Sequence, residues 1–278
     1  MDGSFWQVNS EFDKGDDVEV TVERSSAAIM LVLDCSSSLQ SGGDKFTEMK
    51  THVKSFIETL ASAMDNANNP GGGGSAETHE WVDLDLPSGT LWATCNIGAE
   101  KPSDYGDFFA WGETIGYNGG KTTFNWSSYK LCKGSNSTMK KYCTSSSYGT
   151  VDNKTELEPA DDAATVNWGI NWQMPSLVQF KELINSSYTT TEWTTIDGVY
   201  GRKITSKSNL KSIFLPAAGY RNDMSLVTTG SYGYYWTRSL STSNSTYGCY
   251  LFFDSSNIST GNYFRYYGRS VRPVRVQK

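Results

Sequence analysis

With 278 residues, a net charge of −6, 19% charged and 13% aromatic residues, the chain has the length for one large or two modest domains. Its overall field would draw it neither to nucleic acid nor to an anionic membrane surface. No apolar run reaches the roughly 18 residues that a spanning helix needs, so direct membrane insertion by this chain is not expected.

Met1 is followed by polar residues instead of a basic and then apolar leader, which implies either a cytosolic protein or a mature portion without its export signal. Alternation in DVEVTVE (Asp17 to Glu23) predicts a half-buried strand, and AIMLVLD (Ala28 to Asp34) a fully buried one. Asp44 then suits a helix N-cap, followed by a stripe of Phe46, Met49, Val53, Phe56, Ile57 and Leu60 at helical spacing. Residues 66–78, NANNPGGGGSAET, read as a flexible linker that divides the chain into a strand-loop-helix segment at 1–65 and a main domain at 79–278.

The main domain has short strands, many Trp and Tyr, and frequent Gly/Asn/Ser turns. Strands are expected at 91–97, 201–206, 212–215, 234–240, 248–253 and 270–276. A helix is expected at 175–185, with Pro175 at its first position and Leu177, Phe180, Leu183 and Ile184 on one face, and a second around 160–166. The class is α+β, with helices outnumbered by strands.

The five cysteines follow no metal-ligand spacing. Cys132 and Cys143 flank a Gly/Ser/Asn-rich segment and read either as two unpaired thiols or as a loop-closing disulfide in an oxidising compartment. The only histidines are His52 and His79, before and beside the start of the main domain, so a Ser/His/Asp or Cys/His arrangement within it is excluded. Glu156, Glu158, Asp161 and Asp162 fit a solvated turn at a helix start better than a paired acid and base.

Asp34-Cys35-Ser36-Ser37-Ser38 has the form D-x-S-x-S and closes an apolar strand. It resembles the first metal-binding loop of von Willebrand factor A-type domains, in which Asp34, Ser36 and Ser38 would ligate Mg²⁺ at the edge of a parallel sheet. The plainer reading is a partial element whose Ser-rich loop caps the helix from Phe46. No other cofactor is expected.

A wider resemblance covers the main domain. EWVDLDLPSGTLWATCNIGA (Glu80 to Ala99), FAWGE (Phe109 to Glu113), WQMP (Trp172 to Pro175), FLPAAGY (Phe214 to Tyr220) and SVRPV (Ser270 to Val274) together resemble the Fibrobacter succinogenes major paralogous domain of Bacteroidetes surface proteins. That family is related to the C-type-lectin-like fold, which includes formylglycine-generating enzymes and the variable proteins of diversity-generating retroelements. The resemblance implies an exported protein on the extracellular face of the outer membrane or a pilus, as a lipoprotein or adhesin. Formylglycine-generating chemistry requires two late cysteines, and only Cys249 is there.

From Ser225 to Val276 there is no Lys, Glu, Gln or Met, where average usage would supply roughly ten such residues. Soluble surface strands ordinarily carry Lys and Glu. Randomising the adenines of an AAC codon reaches Ser, Thr, Tyr, Phe, Asp, Gly, Cys and Arg among others, but never Lys, Glu, Gln, Met or Trp. Trp236, the exception in this stretch, is therefore expected in the core, with Leu251, Phe253, Gly268 and Val271 as further scaffold. The displayed, ligand-binding positions expected on this face, at 230–270, are Arg238, Ser241, Thr246, Tyr247, Cys249, Phe252, Asp254, Ser259, Gly261, Asn262, Tyr263, Phe264, Tyr266, Tyr267 and Arg269. Tyr, Ser and Gly suit such a surface because Tyr gives rigid amphipathic contact area and Ser and Gly adapt. Arg238 and Arg269 are suited to pair carboxylates or stack on rings.

These features point to a recognition or adhesion protein that binds a protein or glycan on another cell or host surface, without catalysis. The alternative is a structural subunit of a pilus or surface layer, assembled through the N-terminal segment.

Overall fold

The structure, a computed structural model, describes residues 18–24, 27–33 and 79–275. The chain forms two compact units, Met1–Gly74 and Ser75–Lys278. In the first, β1 (Val18–Arg24) and β2 (Ala27–Leu33) pair antiparallel, Val18 opposite Leu33 and Arg24 opposite Ala27. Both expected strands are present. The Asp34, Ser36 and Ser38 loop, the Phe46 helix and the 66–78 linker lie outside the described residues.

The second unit consists mostly of small antiparallel sheets with two short α-helices among the described residues, an α+β arrangement. Its beginning and end meet in one four-stranded sheet. There β14 (Val274–Arg275) lies between β4 (Leu91–Ala93) and β5 (Trp172–Gln173), and β3 (Trp81–Asp83) flanks β4. A second sheet joins β6 (Thr189–Ile196), β7 (Val199–Ser206) and β8 (Ser212–Pro216), and a two-stranded ribbon joins β9 (Tyr220–Asn222) to β10 (Ser225–Val227). A third sheet is the meander β11 (Gly233–Leu240), β12 (Tyr247–Phe253) and β13 (Ile258–Phe264).

Strands β6 and β13 were not expected, because TTTEWTTI and ISTGNYF carry little apolar alternation. Their partners, not their own patterning, define them. Conversely the expected strand at 91–97 stops at Ala93 and that at 270–276 shrinks to Val274–Arg275.

The helix expected at 175–185 is α2 (Leu177–Leu183), following α1 (Ala163–Trp168). Pro175 precedes α2 instead of opening it. Ser176 is the N-cap and forms a capping box with Gln179, each side chain accepting from the other's backbone N–H. Phe180 and Leu183 are its buried face. The helix around 160–166 is split: Pro159–Asp161 is a 3-10 turn, and Asp162 then caps α1.

The acidic loop is correspondingly less solvated than expected. The Asp162 side chain is buried and accepts from the backbone N–H groups of Ala164, Thr165 and Met174. Glu158 pairs with Lys141 and Lys154, Asp161 with Lys141, and Glu156 with Arg238 at 3.0 Å. Each carboxylate is engaged in fastening loops. Cys132 and Cys143 are unpaired buried thiols that donate to the carbonyls of Trp126 and Ser145.

Two of the cores draw on the meander. One gathers Trp92, Phe180, Leu183, Ile204, Leu215, Tyr235, Leu251, Phe253 and Val274; the other gathers Phe109, Trp111, Trp172, Trp236 and Val271. Each such side chain contributes roughly 1.5–3 kcal/mol of apolar burial. Trp236, Leu251, Phe253, Gly268 and Val271, the expected scaffold residues, are all buried. The Trp236 ring N–H donates to the Phe109 carbonyl at 2.8 Å, so its one polar atom is satisfied inside the core.

Candidate ligand-binding face

Register divides the meander into two sides, because directly paired residues point the same way and neighbours alternate. Tyr235 pairs with Leu251 and Leu251 with Thr260; this side, with Phe253 and Cys249, turns into the core. Tyr234 pairs with Phe252 and Phe252 with Ser259, while Trp236 pairs with Tyr250 and Tyr250 with Gly261. This second side is the candidate face. Trp236 is sealed beneath it, whereas Tyr234, Tyr250 and Phe252 are half-buried and Tyr263 is 42% exposed.

Gly261 belongs to the face by what it lacks: a Cβ there would stand 3.0 Å from the Tyr250 ring, so the glycine lets that ring lie across β13. Gly248, further along β12, is held to glycine more strictly, since a Cβ would meet the Trp111 ring at 2.6 Å.

The rings form a continuous chain. Ring centroids run Tyr232–Tyr234 at 6.1 Å, Tyr234–Tyr220 at 5.2 Å, Tyr220–Tyr267 at 5.2 Å, Tyr267–Tyr263 at 5.4 Å and Tyr263–Tyr247 at 5.8 Å. From Tyr247 the chain continues through Phe264 to Trp126 and Tyr266. Such edge and offset contacts fix the rings against one another, giving a rigid surface that loses little freedom on binding. At the Tyr232 end an open groove of about 640 Å³ is lined by Trp193, Tyr200, Tyr232, Asp254 and Asn257 among others. Trp193 and Tyr200 stack there at 5.8 Å.

Burial raises the phenol pKa values along the chain, Tyr234 to about 12, and Tyr220 and Tyr267 also upward. These phenols are therefore neutral donors near physiological pH. Beneath them lies Arg269, only 3% exposed. Its guanidinium carbon sits 3.6 Å from the Tyr250 ring centre, 4.2 Å from Trp236, 5.2 Å from Tyr234 and 5.9 Å from Tyr267.

Of the expected displayed positions, Phe252, Ser259, Gly261 and Tyr263 share the candidate face, and Tyr247, Phe264, Tyr266 and Tyr267 belong to the ring chain. Asn262 is exposed, but its register with Cys249 turns it to the other side. Asp254 sits in the turn after β12, where its side chain accepts from the Ser256 and Asn257 N–H groups. Arg238 is half-buried and held by Glu156 and by Gln173 at 2.5 Å, so it is not a free partner for a ligand carboxylate.

Four expected positions are corrected. Ser241, Thr246, Cys249 and Arg269 are buried and display nothing. Ser241 and Thr246 close the β11–β12 connection, where the Thr246 hydroxyl donates to Asn244 and its carbonyl accepts from Arg265. Cys249 lies on the core side of β12, and burial pushes its thiol up to about 11, which keeps it protonated and weakly nucleophilic. Arg269 is roofed by tyrosines. Sequence reasoning in turn missed Tyr220, Tyr232, Tyr234 and Trp126, since only the register and the return of the chain bring them to the face.

Residues 186–274 match a family described as a domain of unknown function (DUF8237). No curated protein and no solved structure matches the chain. The matched stretch holds the whole meander and every ring of the chain except Trp126.

Proposed function

We propose that the second unit is a C-type-lectin-like recognition domain whose Tyr-rich face binds a protein or glycan, without catalysis and without a bound cofactor. The observation that carries this reading is the unbroken ring chain from Tyr232 to Tyr247, with Tyr263 projecting from it. A continuous aromatic surface on a rigid sheet marks an interaction site, and tyrosine anchors carry a large share of binding energy in such sites.

The bias of residues 225–276 is accounted for by adenine-directed diversification of a surface on a fixed scaffold, and the burial of Trp236 supports the scaffold half of that account. A near-copy of the encoding DNA, differing at adenines only and lying beside a reverse transcriptase gene, would establish it. The motif resemblance supports display on the extracellular face of the outer membrane or on a pilus.

The experiment is a screen of the protein against arrays of glycans and cell-surface proteins, repeated with Tyr263→Ala/Tyr267→Ala. The pair of substitutions should abolish the signal while circular dichroism stays unchanged. Undiminished binding by the variant would remove the face from consideration.

A further inference from the structure

Four arginines are nearly or wholly buried among the described residues of the second unit, and three of them donate to backbone carbonyls, although Nε of Arg265 has no partner. Arg272 donates to Asn96 Oδ1 and to the carbonyls of Ala93, Thr94 and Phe214. Arg265 donates to the carbonyls of Lys141 and Tyr142, and Arg202 to that of Asp254. Arg269 differs. Its Nε and Nη1 are buried without a hydrogen-bond partner, its guanidinium donates a hydrogen bond to the Tyr250 hydroxyl, and it forms no ion pair with a described residue.

A buried cation with unsatisfied N–H groups is unfavourable to the folded state by itself. Burial accordingly depresses its pKa to about 10, still far above neutrality, so the charge is retained. Ring faces return part of the lost solvation through cation–π contact, but no carboxylate among the described residues pairs with it. Three of the rings against this charge, Tyr234, Tyr250 and Tyr267, are themselves only half-buried and so reach solvent.

The surrounding segment has the same sign. Residues 225–276 hold five arginines against the single Asp254, a formal charge of +4 in a chain of −6. Across a layer of low polarizability, the attraction of an anion on the outer side is screened far less than at an open surface.

We infer that Arg269 makes this face selective for saccharides that carry a carboxylate. The inference rests on the proposed ligand-binding role of the face and names the ligand class. Neutral phenols donate to the carboxylate from the ring layer, Arg269 supplies the opposite charge from beneath, and sugar hydroxyls meet Ser259 and the phenol edges. A folded protein's acidic patch fits less well, because the face offers it no lysine and its central cation lies sunk under rings. Leaving the cation uncompensated in the free protein is then a stability sacrifice made for binding.

The test compares a glucuronate-containing oligosaccharide, its neutral glucose counterpart and an oligoglutamate of equal charge at matched ionic strength, by calorimetry, with wild type and Arg269→Met. Met retains much of the apolar bulk without the charge. Wild type should bind the acidic sugar at least tenfold more tightly than the other two, and Arg269→Met should lose that preference while unfolding at the same or a higher temperature. Equal affinity of wild type for both sugars, or a preference surviving in Arg269→Met, would overturn the inference and leave the binding face standing. Tight, Arg269-dependent binding of oligoglutamate would overturn the saccharide assignment, as would a marked fall in the melting temperature of Arg269→Met together with unchanged selectivity among its folded molecules. Absence of binding by either sugar and by every ligand of the arrays would remove both the inference and the binding reading.

Discussion

Arg272, three residues from Arg269, should respond in the opposite way to the same substitution. Its guanidinium is wholly buried and connects the end of β4, Asn96, β8 and the C-terminal segment through donors at 2.9 Å to Asn96 Oδ1, 3.1 Å to Ala93, 2.8 Å to Thr94 and 2.9 Å to Phe214. Arg272→Met removes all four donors and leaves oxygens behind in an apolar interior. At about 1 kcal/mol net per hydrogen bond the loss is about 4 kcal/mol. Relief of guanidinium desolvation offsets part of it, and the stranded carbonyls restore part, so about 3–5 kcal/mol is expected. For a unit of this size that corresponds to a fall of roughly 10 °C in Tm. Urea unfolding followed by far-ultraviolet circular dichroism measures it, with an unchanged slope showing that the same surface unfolds. A loss below about 1 kcal/mol would refute the reasoning, since it would mean that the carbonyls find other donors and that Arg272 is no tie.

Trp236→Ala should cost about 3–5 kcal/mol in the same assay through the cavity it opens, whereas Tyr263→Ala, at a half-exposed ring, should change stability by less than about 1 kcal/mol. Gly248→Ala places a Cβ against Trp111 and should destabilise by about 1–3 kcal/mol through overpacking, visible as a lower urea midpoint. The raised phenol of Tyr234 contributes stability that is fully present below its ordinary pKa of 10 and is lost as pH rises through about 12. Alkaline titration by tyrosinate absorbance should therefore show a late fraction that ionises together with loss of near-ultraviolet dichroism. Cys249, buried with its thiol raised to about 11, should resist a disulfide reagent in native protein and react after denaturation, whereas the partly exposed Cys95 should react in native protein.

Elements whose own patterning carries the fold were legible without coordinates. Leu251 and Phe253 alternate in β12, Phe180 and Leu183 are spaced for one helix face, and Trp236 stands as the sole residue of its kind in a biased stretch; all are buried. The expected helix start at Pro175 falls two positions before the observed first residue Leu177, because the Ser176–Gln179 capping box, not the proline, sets the start. Strands β6 and β13 were not legible, because their threonines, serines and glycine suit an edge or a turn as well as a strand until a neighbour supplies the ladder.

The sequence by itself determined that residues 225–276 are depleted of Lys, Glu, Gln and Met, rich in tyrosine, and punctuated by apolar positions that must face inward. Tertiary structure alone decided which polar residues join those positions inside. Arg269 and Arg272 look alike in RSVR, yet Arg272 is held by carbonyls from β4 and β8 and Arg269 lies among rings from β11, β12 and the 264–270 turn. An arginine is buried only where distant segments deliver acceptors or ring faces to it. That delivery is a property of register and chain return, and no local pattern records it.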